Sequence, residues 1–291
     1  MSERIACILT ASLDNLRLVS DDVKLHSLTH TAPYVQSILP RENFDIFIQL
    51  NYTGELNSIK QQQIDFLRDT YAPVQLEVIR TEVLRAEIDD HIRNHCGEDY
   101  PITHCNKYNN HFPQHWGFFR VCERLTGAGY THYFKLRPDI YPSPSYDILG
   151  CIRDYIEIGP ESGRMWCESI NICSNSVRSL HVKDISMCWD QASLEKILPD
   201  ISTWIGECYQ DIVRVRLHPL QYNTDIPYTI VEGAIGKLIQ LNSVAVTVDP
   251  VRLNSVLYRP VHADNSGAAS PPSMSWDFFQ SLRRQLEDWQ W

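Results

Sequence analysis

The chain has 291 residues, 43% of them hydrophobic, 10% aromatic and 21% charged, a balance that excludes a mostly disordered protein. Its 26 basic and 36 acidic residues give a formal charge of −10, which argues against nucleic acid as the main partner but leaves room for a small phosphorylated ligand in a local positive pocket. No apolar run reaches the ~18 residues of a membrane span, and Met1-Ser2-Glu3 leads straight into a strand-like run, so neither an integral membrane segment nor a secretory leader is expected.

Arg4-Ile5-Ala6-Cys7-Ile8-Leu9-Thr10 reads as a strand buried on both faces, as in a parallel sheet. The polar turn Ala11-Ser12-Leu13-Asp14-Asn15 ends it, and a helix is predicted over 22–38, stopped by Pro40. A second strand at 44–50, a helix at 57–70 and a third strand at 74–79 follow. This alternation predicts βαβ units and a mostly parallel sheet. A helix at 82–94 precedes a polar loop rich in His and Asn, and the next helix, 113–126, is expected to open with Pro113 and close at Gly127 and Gly129. The strand after it, through Lys135 and Leu136, runs into Arg137-Pro138-Asp139.

The second half is read as strands at 154–158, 170–173, 181–185 and 243–248, with helices at 190–197, 200–209 and 229–240. Residues 263–275 form a linker, and Trp276 to Trp291 reads as a short amphipathic helix with Phe278, Leu282, Leu286 and Trp289 at helical spacing. Its mixed charges favour docking on its own domain or a dimer contact over a membrane surface. The expected fold class is α/β: a Rossmann-like, mostly parallel central sheet flanked by helices. It fills a single domain over 1–262, with halves at 1–142 and 143–262, followed by the appendage 263–291.

Nine cysteines are scattered without any Cys-x-x-Cys pair. The odd number excludes a full disulfide framework, structural zinc is not favoured, and reduced thiols in a cytoplasmic setting are expected. Nucleophile-elbow, phosphate-loop and dinucleotide-binding glycine motifs are absent from the sequence, which removes the usual support for those enzyme classes. His91 and His95 stand four apart, but Ile92 follows His91 where a zinc peptidase needs Glu.

The segment richest in chemistry is Arg137-Pro138-Asp139. In open α/β sheets ligands bind beyond the carboxyl ends of strands. Asp139 falls just past such an end, and Pro138 fixes one backbone angle and so aims the carboxylate. Mg²⁺ or Mn²⁺ often keeps only one or two protein carboxylates, with phosphates and water completing its shell. Lys135 and Arg137 would face the same phosphates. The plainer alternative is a turn with its Asp in a local salt bridge.

The stretch 113–147, with Gln114, Trp116, Tyr133-Phe134-Lys135-Leu136 and then Arg137-Pro138-Asp139, resembles a group of GT-A-type glycosyltransferases. They occur in bacterial surface-glycan loci and large DNA viruses of algae, and carry Arg-Pro-Asp where other GT-A enzymes have Asp-x-Asp. The resemblance implies a GT-A-like fold, a nucleotide-sugar donor, a glycan acceptor, a divalent cation (Mn²⁺ or Mg²⁺) and sugar transfer, taken here as inverting. A viral glycan-building role follows only from the family's distribution. Asp139 then holds the cation against the diphosphate, and Arg137 takes over part of the metal's charge neutralisation. Thr10 and Ser12 are placed at the base or ribose and Arg17 at the phosphates, although the glycine of the family's turn is missing. Asp184 or Glu232 is the general base for the acceptor hydroxyl, and His262 closes on the metal or diphosphate.

Each assignment has a structural alternative. Arg17 is then a solvated cation at a helix start, Asp184 a turn residue, Glu232 a favourable charge in a first helical turn, and His262 a surface residue. Two other functions use the same residues: a metal-dependent phosphoesterase or nucleotide hydrolase with water as acceptor, and a non-catalytic glycan-binding module.

Overall fold

The computed structural model describes residues 4–18, 27–38, 44–100, 102, 106–139, 155–157, 162–167, 170–173, 179–182, 186–217 and 231–247. All belong to one unit, Met1–Leu257. The apolar run after Arg4 is β1 (Ile5–Ser12), and it lies inside a seven-stranded sheet. The chain continues through α1 (Leu28–Ile38), β2 (Phe44–Tyr52), α2 (Ser58–Tyr71), β3 (Gln75–Arg80), α3 (Thr81–Cys96), α4 (Asn106–Leu125) and β4 (His132–Leu136). Then come β5 (Arg164–Cys167), β6 (Ile170–Cys173), β7 (Ser179–Val182), β8 (Ser186–Asp190), α5 (Gln191–Ile197), α6 (Ile201–Leu217), α7 (Val231–Leu241) and β9 (Ala245–Thr247).

The strand order is β3-β2-β1-β4-β8-β5-β9, with β6 and β7 forming a separate antiparallel pair. Within the large sheet β8 alone runs against its neighbours; every other pairing is parallel. The expected α/β class with a mostly parallel sheet therefore holds. The order 3-2-1-4 arises because the chain moves outward from β1 to β3, then crosses back to lay β4 on the other side of β1. That reversal makes β1 and β4 the switch point, where the connections leave to opposite faces and open a crevice beyond the strand ends.

Both faces are covered, which is why β1 reads as an unbroken apolar run. Ala6, Ile8, Phe47 and Tyr133 pack with α3, α4, α6 and α7, through residues such as Ile88, Phe119, Trp204 and Leu238. Ile5, Cys7, Leu9, Ile48 and Phe134 pack on the other side with Leu28 and Val35 of α1 and Ile64 and Leu67 of α2. Cys7, Cys96, Cys122 and Cys188 carry free thiols.

Local chemistry explains several boundaries. Asn57 caps α2 by accepting from Lys60 N at 3.0 Å, and Ala72 ends it in the left-handed region, its N–H bonded to Arg68 O at 2.8 Å. Asp190 closes β8 and caps α5, accepting from Ser193 N at 2.7 Å.

Four sequence expectations are corrected. α4 begins at Asn106, not Pro113, so Pro113 lies inside the helix, where it withholds one backbone donor. Residues 155–156, expected in a strand, form a helical turn whose Tyr155 hydroxyl donates to Arg164 O. β5 and β8 were not expected: Arg-Met-Trp-Cys and Ser-Met-Cys-Trp-Asp lack the β-branched residues that mark strands, and only their pairing with one another and β4 makes them strands. α6 runs eight residues past its expected end at 209, to Leu217. The expected linker and terminal helix at 263–291, and the stop at Pro40, lie outside the described residues.

Candidate functional site

The segments leaving the carboxyl ends of β1, β2 and β4 are wired together by specific hydrogen bonds. After β1, the Asp14 carboxylate accepts from Thr53 N at 2.8 Å and Thr53 Oγ1 at 2.9 Å and pairs with Lys60 Nζ at 2.8 Å. Burial alone would raise the Asp14 pKa, but Lys60 and the two Thr53 donors outweigh it and hold the carboxyl below its ordinary value. Lys60 also donates to Thr53 O at 2.6 Å, so the turn after β2 is clamped to the turn after β1. Buried Gln63 reaches from α2 to Leu16 O at 2.9 Å. One residue on, Arg17 O accepts Leu28 N of α1 at 2.8 Å.

On the other side of the crevice, Arg137 and Asp139 form a two-point pair. Arg137 Nε donates to Asp139 Oδ1 at 2.9 Å, and Nη2 to Oδ2 at 2.7 Å. Both side chains keep only about a sixth of their surface open, at 16% and 15%. The plainer reading of this turn, an Asp in a local salt bridge, thus describes its geometry here. The turn is pinned from outside by Thr31 of α1, whose hydroxyl donates to Pro138 O at 2.8 Å.

Below the turn lies a buried polar row on the face that α4 covers. Thr10 and Gln49 are register partners, and Lys135 of β4, the partner of Ile8, lies on the same face of the sheet. All three are essentially inaccessible. Thr10 Oγ1 and both amide atoms of Gln49 lack hydrogen-bond partners among the described residues, an unusual concentration for a packed core. Gln49 lies directly against Gly117 of α4, where a Cβ would stand 2.7 Å from Gln49 Cδ. The next inward residue of β2 on this face, Asn51, donates to Thr81 Oγ1 at 3.0 Å and ties β2 to the start of α3.

The predicted residues divide accordingly. Ser12, Arg17, Arg137 and Asp139 come to the same end of the sheet, Ser12 as the last residue of β1 and the others on the segments that follow β1 and β4. Arg17 is exposed and has no ion-pair partner among the described residues. Ser12 sits at the end of β1, partly buried, its hydroxyl 3.4 Å from Asp14 Oδ2. Thr10 and Lys135 are one layer deeper, inside the sheet–helix interface. Glu232 lies in the first turn of α7. Asp184 and His262 lie outside the described residues. Among the described residues no group of three or more His, Cys, Asp or Glu side chains is arranged to hold a metal.

His91 Nδ1 meets Ser202 Oγ at 2.8 Å, and its ring stands edge-on to Trp116 with centroids 4.4 Å apart, so this histidine joins α3 to α6 and α4. His95 packs against Gly206.

Sequence reasoning missed Thr31, Gln49, Lys60 and Gln63. Gln49 had a signal, an amide directly after the apolar run Ile46-Phe47-Ile48 of β2. Thr31 had none, because a threonine within a helix says nothing about a carbonyl 107 residues away.

No protein-family model matches the chain, and no curated protein is significantly similar to it. Solved structures give distant matches. Mouse xyloside xylosyltransferase 1 in its apo form is 9% identical, aligned over 86% of this chain and 85% of that one, with a TM-score of 0.42. Mannose-1-phosphate geranyltransferase from Thermus thermophilus is 9% identical over 85% and 73%, with a TM-score of 0.40. The apo structure of WbbM, a bifunctional glycosyltransferase, is 8% identical over 86% of this chain and 39% of that one, again at 0.40. Likenesses this distant leave the site to be read from the chain's own residues. No helix among the described residues is long and apolar enough to cross a membrane.

Proposed function

We propose that the protein is a GT-A-like glycosyltransferase that moves a sugar from a nucleotide-diphosphate donor to a glycan hydroxyl. The observation that carries the reading is the Arg137-Pro138-Asp139 turn at the end of β4, beside β1 at the switch point of the sheet. This is where an open α/β sheet offers a crevice for a nucleotide.

Arg17 is free to donate to the phosphates, a role its planar fork suits. Asp139 would hold Mn²⁺ or Mg²⁺ as the single protein carboxylate of a shell completed by phosphates and water. When bound, that cation supplies charge neutralisation for the departing diphosphate. Arg137 adds a fixed positive charge at the same place and orients the carboxylate. Ser12 lines the nucleoside side, with Thr10 and Lys135 beneath it inside the sheet–helix interface. In an inverting reaction Asp184 or Glu232 takes the acceptor proton. A cytoplasmic setting agrees with the free thiols.

Thermal unfolding with UDP, GDP, CDP and ADP, each with and without Mn²⁺, tests this reading. One nucleotide should raise the melting temperature, more so with metal, because a ligand bound only to the folded state stabilises it by mass action. Asp139→Ala should remove the metal-dependent part. The two-point pairing of Asp139 with Arg137 favours a second reading, a non-catalytic binding module with the same fold. That reading prevails if glycans raise the melting temperature and no nucleotide does.

A further inference from the structure

The first turn of α1 touches both walls of the crevice. On the β1 side, Leu28 N donates to Arg17 O at 2.8 Å, Thr29 N to Leu18 O at 3.3 Å, and Thr29 Oγ1 to the same carbonyl at 3.0 Å. On the β4 side, Thr31 Oγ1 donates to Pro138 O at 2.8 Å, and Thr31 is wholly buried. Among the described residues this one helical turn holds both Arg17 and the Arg137–Asp139 turn by their backbone. Those segments are 120 positions apart in sequence, and their side chains carry the cations and the carboxylate of the proposed site.

The hydroxyl proton has three carbonyls within reach: Pro138 O at 2.8 Å, Ser27 O at 3.2 Å and Leu28 O at 3.4 Å. It can serve only one at a time. Ser27 O already accepts Thr31 N at 3.0 Å, and the shortest contact is the one across the crevice. A threonine hydroxyl in a helix ordinarily bonds back to its own preceding turn. Here the side chain is shared between that local bond and a tertiary one, and the tertiary bond is the better formed.

We infer that Thr31 is a positioning residue. Acting through Pro138, with Thr29 acting through Leu18, it sets the separation between Arg17 and the Arg137–Asp139 turn, and so the fit of a diphosphate between them. The inference rests on the nucleotide-diphosphate reading of the site.

Calorimetric titration of the full chain tests it, using whichever of UDP, GDP, CDP and ADP binds the wild-type protein, alongside the corresponding nucleoside. Thr31→Val keeps the branched shape and removes the donor; Thr31→Ser keeps the donor. With Thr31→Val the diphosphate should bind about 3- to 10-fold more weakly, the equivalent of one lost hydrogen bond. The nucleoside should be unaffected, and Thr31→Ser should restore diphosphate affinity. Thr29→Ala, at an exposed position, should show the same split between diphosphate and nucleoside on a smaller scale, and provides the comparison if Thr31→Val does not fold. Equal weakening of diphosphate and nucleoside would assign Thr31 to the scaffold alone and overturn the inference. So would unchanged diphosphate affinity in Thr31→Val or, should that variant not fold, in Thr29→Ala. Absence of binding by the wild-type protein to all four nucleotides would instead overturn the reading on which the inference depends.

Discussion

His132 should make the protein acid-sensitive well above the carboxylate range. It is the first residue of β4, wholly buried, opposite Asp190 across the β4–β8 pairing and edge-on to Tyr155 with centroids 5.6 Å apart. Its Nδ1 lies 3.1 Å from Thr131 Oγ1, and Nε2 has no partner among the described residues. Burial lowers its pKa from 6.5 to about 4, against a smaller upward pull from Asp190, whose oxygens already accept from Ser162, Arg164 and Ser193. A depressed histidine pKa means that the unfolded chain takes a proton the folded chain refuses. Stability is therefore intact above pH 6.5 and is lost as pH falls towards 4. At about 1.4 kcal/mol per pH unit the whole interval is worth about 3 kcal/mol. By pH 4.5 about 2.5 kcal/mol of this is gone. His132→Phe keeps a buried ring against Tyr155 and removes the titration. Urea unfolding at pH 7 and pH 4.5 gives the loss for each protein, and wild type should lose about 2.5 kcal/mol more than the variant. Equal losses in the two proteins would refute the reasoning, because every other titrating group is common to both.

Gly117→Ala should destabilise by about 1–3 kcal/mol, as overpacking does, because the new methyl meets Gln49. Adding Gln49→Ala should recover part of that loss, and a double-mutant cycle in chemical denaturation that is additive to within about 0.3 kcal/mol would contradict the contact. Ala72 ends α2 at φ 40° and is exposed, so Ala72→Gly should raise the melting temperature by the equivalent of about 0.5–1 kcal/mol; a fall would show that the left-handed cap carries no strain. Arg137→Met should release Asp139 and make nucleotide binding weaker without metal but more strongly enhanced by Mn²⁺, as measured by titration with and without chelator; an unchanged metal effect would separate Asp139 from the cation.

How much of the site was legible follows from the range of the interactions involved. Arg137-Pro138-Asp139 was visible because a proline-stiffened carboxylate at a strand end is local, and the same locality made its internal salt bridge a natural alternative. The clamp of Asp14 by Thr53 and Lys60 was not visible, since it joins the ends of two strands that neighbour one another only in the sheet. Thr31 and Gln49 owe their importance to partners on other elements, Pro138 and Gly117, and no sequence spacing encodes either contact.

By itself the sequence determined the elements of the first half. Unbroken apolar runs make strands buried on both faces, and amphipathic spacing and caps make the helices between them; both are short-range effects of burial and backbone hydrogen bonding. Only the tertiary structure decided which strands neighbour β1, that β8 enters the sheet reversed, and that Met-Trp and Cys-Trp segments with modest strand propensity become strands at all. Those choices depend on pairing surfaces far apart in the chain, where the gain from covering both faces of one sheet outweighs local preference. The crevice between β1 and β4, and the helical turn that holds both of its walls, exist only once that order is set.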